Sequence, residues 1–307
     1  MMRRLLLWMA ENPWLRRNVP RLGFARKAVL RFMPGEDADS ALHAAMRFKE
    51  QRITAVLTQL GENITRVEEA DDVETHYLGL LDRIATEHLD ADISVKLTQL
   101  GLDLDGERTF EHVRRLAERA ATIGRTVWVD MEGSVYTERT VALYERVKKI
   151  HANTGLCLQA YLRRSAADIQ RLLPLDPAIR LVKGAYAEPA LIAFQIREEV
   201  DRSFVALSNA MLTAAHDGSR IRIALGTHDI LLLEEIARSA AALSLPKETC
   251  EVQMLYGIRV DEQQRLAREG YAVRGLISYG STWYPWYMRR LAERPANMLF
   301  ALRQLLP

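Results

Sequence analysis

From about residue 53 onward, short apolar, β-branched runs that end in polar side chains alternate with stretches of helical periodicity. The runs are Thr54–Leu60, Ile93–Leu97, Thr126–Met131, Gly155–Gln159, Ile179–Lys183, Ile221–Leu225, Glu251–Leu255 and Ala272–Ile277. The stretches between them are amphipathic: Phe110, Val113, Leu116, Ala120 and Ile123 fall on one helical stripe. Successive strand ends lie mostly 25 to 40 residues apart, the length of a strand–helix unit. Leu57-Thr58-Gln59-Leu60-Gly61 recurs forty residues later as Leu97-Thr98-Gln99-Leu100-Gly101, and each copy is expected to close a strand and open a loop. Eight alternating units in about 250 residues predict an α/β fold, a (β/α)8 barrel. A doubly wound open sheet would carry a glycine-rich first turn, and neither G-x-G-x-x-G nor a P-loop occurs.

The first fifty residues differ. Residues 1–31 hold eight basic side chains (Arg3, Arg4, Arg16, Arg17, Arg21, Arg26, Lys27, Arg31) against Glu11, a charge of +7; since the whole chain is +2, the rest carries −5. Leu5, Leu6, Leu7, Trp8, Met9, Trp14, Leu15, Leu22, Phe24, Val29 and Leu30 are interleaved with these charges. Basic and apolar residues at helical spacing suit either an anionic membrane surface or a helical arm packed on its own domain. The expected organisation is a basic, amphipathic helical arm over 1–50 and one catalytic barrel over 51–307. No apolar run reaches 18 residues, so no spanning helix is expected. Nor is a signal peptide, since the apolar stretch Leu5 to Ala10 is short and no small-x-small site follows. No basic recognition motif points to nucleic acid.

The composition, 49% hydrophobic and 27% charged in 307 residues, is that of a soluble globular protein and excludes disorder or collagen. The two cysteines, Cys157 and Cys250, form no C-x-x-C pair, sit at apolar strand positions and read as core thiols. Their scarcity suits a reducing compartment.

A barrel of this kind works at the C-terminal ends of its strands. The eight runs end in Glu62, Lys96, Asp130 with Glu132, Gln159 with Tyr161, Arg180 through Tyr186, Thr227-His228-Asp229, Gln253 with Tyr256, and Tyr279. Strand alternation puts Ser94 with Lys96, Trp128 with Asp130, Cys157 with Gln159 and Arg180 with Val182. Lys96, Asp130, Gln159 and Arg180 are then expected inward, and Lys183 takes the opposite parity to Arg180. His228, flanked by Thr227 and Asp229 after an apolar strand, is expected to contact a ligand. No histidine–carboxylate spacing suggests a metal. The last helix holds Tyr287 and Arg290 three apart, and Arg289 and Glu293 four apart, with Pro295 expected to stop it. Two adjacent arginines among four aromatics make a carboxylate clamp, because a guanidinium fork matches a carboxylate and lysine does not.

Seven segments, in order, resemble the proline dehydrogenase family, specifically its short monofunctional bacterial members. They are Val95 to Gly101, Val129-Asp130-Met131-Glu132, Leu158 to Leu162, Arg180 to Tyr186, Thr227-His228-Asp229, Gln253-Met254-Leu255-Tyr256-Gly257, and Tyr287-x-Arg289-Arg290-Leu291-x-Glu293. The resemblance covers about residues 44–305. It implies a distorted, TIM-like (β/α)8 barrel holding FAD non-covalently, oxidation of L-proline to pyrroline-5-carboxylate as the first step of proline catabolism, and transfer of electrons to a membrane quinone. Arg289 and Arg290 would hold the substrate carboxylate and Glu293 would orient them. Lys96, Asp130, Leu255 and Tyr287 would line the substrate pocket, with Lys96, Arg180 and Tyr287 nearest the chemistry. Arg180 would lie by the flavin nitrogen that accepts hydride. Gln159, Val182, Lys183, Gly184, Ala185, Tyr186, Thr227, His228, Gln253 and Tyr256 would contact FAD. Glu62 would pair with Arg289 as a gate. The implied location is the cytoplasm, with peripheral contact to the inner face of the cell membrane through the arm. Where the family often has a tyrosine against the substrate ring, two residues after Arg274, this chain has Leu276, which keeps hydroxyproline or a related cyclic amino acid open as substrate. A Schiff-base aldolase using Lys96 or Lys183 is the alternative on the same barrel.

Overall fold

The computed structural model describes residues 2–62 and 64–293. Eight parallel strands close on themselves in chain order, β8 returning to β1. They are β1 (Thr54–Gln59), β2 (Ala91–Val95), β3 (Val127–Val129), β4 (Thr154–Gln159), β5 (Ala178–Val182), β6 (Arg222–Gly226), β7 (Cys250–Leu255) and β8 (Val273–Tyr279). The strands read as near-continuous apolar runs because helices cover their outer face and side chains fill the barrel. The helices are α1 (Met2–Glu11), α2 (Pro13–Asn18), α3 (Gly23–Val29), α4 (Ala38–Glu50), α5 (Val67–Thr86), α6 (Gly106–Ala121), α7 (Thr137–Lys148), α8 (Ser165–Leu172), α9 (Arg197–His216), α10 (Ile230–Ala242), α11 (Val260–Arg268) and α12 (Trp283–Glu293). Helix α6 shows how the pattern works. Asp105 caps it by accepting from the N–H groups of Glu107 and Arg108, and Phe110, Val113, Leu116 and Ala120 are buried against the barrel.

The departure from a regular barrel lies at its ends in sequence. Helix α4, within the first fifty residues, packs on the outer faces of β1 and β8, where the eighth flanking helix would sit. Helix α12, which follows β8, instead lies over the strand ends, sharing an apolar cluster with Leu60 after β1 and Leu255 of β7. The arm packs on that helix: Leu6, Ala10, Ala25 and Val29 are buried with Trp283, Tyr284, Trp286, Tyr287 and Leu291. Its last residues press on the β7–α11 loop, where Gly257 has φ +72° and a Cβ would overlap the Arg31 carbonyl oxygen. The arm is therefore structurally part of the mouth, whatever its outer face meets.

The two copies of the pentapeptide are not equivalent. Leu57-Thr58-Gln59 belong to β1, whereas Leu97 to Gly101 form turns beyond the end of β2. Position relative to the barrel layers, not local sequence, decides whether this segment is strand. Pro295 lies outside the described residues, as does the side chain of Glu293.

Candidate active site

The barrel interior is layered along its axis. At the N-terminal end Asp92, Arg222, Glu251 and Arg274 form a buried ion cluster: Arg222 donates to Asp92 (3.1 Å) and Glu251 (2.9 Å), and Arg274 donates to Glu251 (3.1 Å). Burial alone would raise the pKa of Asp92, but Arg274 and Arg222 outweigh it and hold the carboxyl below its ordinary range. The same balance lowers Glu251. Above them lie Val56, Trp128, Ala178 and Ala224. The Trp128 ring lies between two guanidiniums, Arg222 at 5.0 Å and Arg180 at 5.2 Å, and its Nε1–H donates to Asp92 (3.1 Å).

The next layer is the mouth. Arg180 is 3% exposed and points inward, as its parity predicts. Its Nη2 donates to Asp130 and to the Ser94 hydroxyl (2.8 Å), and its Nη1 donates to Gln253 Oε1 (3.2 Å). Ser94 in turn donates to Asp130 (2.9 Å), and Lys96 Nζ lies 3.6 Å from the other carboxylate oxygen. Desolvation would lower the pKa of Arg180, yet Asp130 more than compensates and raises it, so a permanent cation stands in the mouth. Gln253 is oriented from below, since its amide N–H donates to Glu251 (2.5 Å) and its oxygen therefore faces Arg180.

Gln159 ends β4 at the inward parity. Its amide nitrogen donates to the carbonyls of Met131 and Glu132 (3.3 Å each), and its buried Oε1 has no partner within the protein. Glu132 itself is buried, which raises its pKa, and it accepts from the N–H (3.1 Å) and hydroxyl (2.5 Å) of Thr98. Val182 is half-buried at the end of β5, and beyond it come Gly184 with φ +112°, Ala185 and Tyr186. A Cβ on Gly184 would run into the Tyr161 ring, so the backbone passes close over that aromatic. Lys183 turns aside, as its opposite parity implies, and pairs with Asp201 (2.5 Å) and Asp229 (3.0 Å). The Thr227 hydroxyl accepts from the Asp229 N–H (3.2 Å), shaping the turn into α10. His228 Nε2 accepts from the Leu255 N–H (2.9 Å), so it ties the end of β6 to β7 and, when neutral, carries its proton on Nδ1. Tyr256 has the outward parity: its ring packs on Phe48 of α4 (5.8 Å) and its hydroxyl lies 3.4 Å from Arg47. That places its ring against helix α4.

Helix α12 closes the site. Arg289 donates to both oxygens of Glu62 (2.5 and 3.3 Å), bringing the β1 loop and the last helix together, and its guanidinium lies 6.0 Å from the Tyr186 ring centre. Arg290 is half-buried beside it. Tyr287 is buried against Phe32 of the arm (5.8 Å) and Trp283 (6.2 Å), and burial raises its pKa. Both lysines of the aldolase alternative are engaged by carboxylates, and neither stands in the apolar setting a Schiff-base nucleophile needs. Both cysteines are buried, which pushes their pKa values up, that of Cys250 to about 12.

Sequence reasoning placed Ser94 and Trp128 on the inward parity but assigned no role to them, and it did not pick out Glu251, Arg222, Arg274 and Asp92, which with them hold this layer from beneath. A signal was present. Asp92, Ser94 and Lys96 share one parity of β2, and Glu251, Gln253 and Leu255 share one of β7, so polar residues repeated every second position mark the interior face.

The sequence model of the family described as Proline dehydrogenase matches residues 41–303. Proline dehydrogenase 1 of Bacillus subtilis subsp. natto is 35% identical over 306 residues, covering 100% of this chain and 99% of its own. Proline dehydrogenase of Deinococcus radiodurans is 34% identical over 281 residues, 90% of this chain and 89% of its own. Among solved structures, proline utilization A (PutA) from Bdellovibrio bacteriovorus, inactivated by N-propargylglycine, superposes with a TM-score of 0.81 at 21% identity, over 94% of this chain and 38% of that longer protein. That likeness shows the barrel fold; the curated relatives, matched along 89–99% of their length, carry the assignment. With the seven motifs gathered at one barrel mouth and relatives aligned end to end, the chain belongs to the proline dehydrogenase family.

Proposed function

We propose that the chain oxidises L-proline to pyrroline-5-carboxylate using non-covalent FAD and passes the electrons to a membrane quinone. The observation that carries this reading is the pair Arg289–Glu62 at the same barrel end as buried Arg180: an anion clamp faces a fixed cation across the mouth. The residues fit a flavin. The partnerless Oε1 of Gln159 is a buried acceptor of the kind an imide N–H satisfies, and Arg180 supplies the positive charge that stabilises a reduced, anionic ring. Gln159, Val182, Gly184, Ala185, Tyr186, Thr227, Gln253 and His228 would hold the cofactor, with Lys183 anchoring the loop through Asp229. Bound FAD would supply the hydride acceptor.

The chain's own residues do the rest. Arg289 and Arg290 would take the substrate carboxylate bidentately, leaving the ring carbon on the far side of the nitrogen presented to the cofactor. Lys96 and Asp130 would border the amine side, and Leu255, Leu276 and Tyr287 would form the apolar wall. Glu62 would close over the bound substrate by re-pairing with Arg289. As the C–H bond gives up its hydride, the nitrogen lone pair forms the C=N bond and the N–H proton is lost. The amine must therefore arrive neutral, and the rate should rise with pH toward its pKa. Leu276 is half-buried and touches two apolar clusters, which favours a second reading in which a hydroxylated proline is also accepted.

The proposed site of work is the cytoplasmic face of the membrane. On the arm, Leu5, Trp8, Trp14, Leu22, Phe24 and Leu30 are exposed beside Arg16, Arg17, Arg21, Arg26 and Lys27, none of which forms an ion pair among the described residues. Many surface arginines of the barrel are paired, as in Arg146–Glu107 (2.7 Å) and Arg171–Glu145 (2.7 Å), whereas these five lie together on one segment without an ion pair. Uncompensated cations interleaved with aromatics suit an anionic bilayer. Purified protein should be yellow and should bleach anaerobically on adding L-proline, with hydroxyproline as comparison. A colourless protein that takes up no FAD would end the proposal.

A further inference from the structure

Among the described residues, every exposed large apolar side chain but one lies either on the arm or on the loops and first helical turns that follow the C-terminal ends of the strands. On that rim, Leu104 follows β2, Val135 follows β3, Leu191 and Ile196 follow β5, Leu231 opens α10 after β6, and Val260 opens α11 after β7. Leu191 is 89% exposed, Val135 80% and Leu231 75%. The exception is Ile150, between α7 and β4 at the opposite end. An even scatter would need no explanation, but a one-ended distribution does.

We infer that the arm and the strand-end rim form one lipid-docking face, so that the barrel mouth opens toward an anionic bilayer. This rests on the reading that electrons leave for a membrane quinone, and it goes further by assigning the whole rim to the contact. The occupant follows from charge. Some rim cations are paired within the protein (Arg139–Asp103, Arg197–Asp229), while Arg163 and Arg259 form no ion pair among the described residues, so the rim contributes mainly apolar insertion. The arm supplies most of the attraction through Arg16, Arg17, Arg21, Arg26 and Lys27, which form no ion pair among the described residues, each worth roughly fivefold in partitioning near an anionic surface. The two are continuous, because the arm packs on α12 and on the β7–α11 loop that carries Val260. Such docking would seal the mouth from water and bring it to the phase in which a lipophilic quinone dissolves.

The test is co-flotation of the flavin-loaded protein with mixed phosphatidylcholine/phosphatidylglycerol vesicles. A triple rim variant, Leu191→Asp with Ile196→Asp and Leu231→Glu, should partition at least about tenfold more weakly, since these side chains would lose their burial in lipid. Flavin content and reduction of a soluble dye by proline should be unchanged, and Ile150→Glu should float like the parent. An arm variant, Arg16→Gln with Arg17→Gln and Arg21→Gln, should weaken binding in a salt-dependent way. If the rim variant floats normally while the arm variant does not, docking runs through the arm alone and the inference is overturned, the quinone reading standing. If the parent never floats, both fall. Loss of flavin, or a change of oligomeric state without a change in flotation, would assign the rim to the cofactor or to a second copy instead, and would also overturn it.

Discussion

Replacing Arg289 by methionine keeps the length and apolar stem of the side chain and removes the fork. Two effects follow, and the structure separates them. The first is loss of the ion pair to Glu62, whose side chains are 17% and 21% exposed. Discounted for solvent screening, that should lower stability by only about 1 kcal/mol. The second is loss of one charge-assisted grip on the substrate carboxylate, about 1.5–3 kcal/mol, which corresponds to roughly 10- to 150-fold in kcat/KM. Glu62→Gln provides the control, because it breaks the same ion pair and leaves the guanidinium in place; its kcat/KM should stay within about threefold of the parent. The assay is proline-dependent dye reduction, normalised to bound flavin, with thermal unfolding measured alongside. Arg289→Met with undiminished kcat/KM would refute the clamp. So would a Glu62→Gln variant as impaired as Arg289→Met, since the ion pair, and not the grip, would then be what matters.

Gly257→Ala should destabilise the protein by at least about 1–2 kcal/mol from its left-handed backbone, with a further penalty from overlap with the Arg31 carbonyl, and should make the arm sensitive to protease; an unchanged Tm would contradict the arm's docking on that loop. Asp92 and Glu251 both titrate below their ordinary values, 3.8 and 4.5, so their contribution is present above those values and is lost as pH falls through the depressed ones. Asp92→Asn, which leaves Arg222 and Arg274 short of a partner, should cost about 3–5 kcal/mol at neutral pH and flatten the acid dependence of the urea midpoint. Deleting residues 1–31 should disturb proline oxidation itself, because it strips Leu6, Ala10, Ala25 and Val29 from α12, and an unimpaired truncated enzyme would show that α12 holds its place alone.

The barrel was legible because each strand is buried on both faces and each helix on one, so the two periodicities survive in the sequence. Arg180 and Lys183 were separable by parity alone, and the structure sends them to opposite sides. What did not follow from local pattern was where α4 and α12 pack: one fills the flanking position at β8 and the other covers the mouth, an exchange set by tertiary fit. The interior charge cluster escaped for a different reason. Asp92 and Arg222 stand at the starts of strands, where a polar residue reads as the end of a loop, and only closure of the barrel brings them together. At Tyr256, just past the end of β7, the motif suggested a cofactor contact, and the structure turns the ring toward Phe48 of α4.

The most direct test compares flavin reduction by L-proline with that by pyrrolidine, the same ring without its carboxylate. If two guanidiniums position the ring, removing their ligand should slow anaerobic reduction by roughly 100-fold or more at equal concentration of neutral amine. Equal rates for the two amines would mean that the arginines of α12 hold nothing that matters to the reaction.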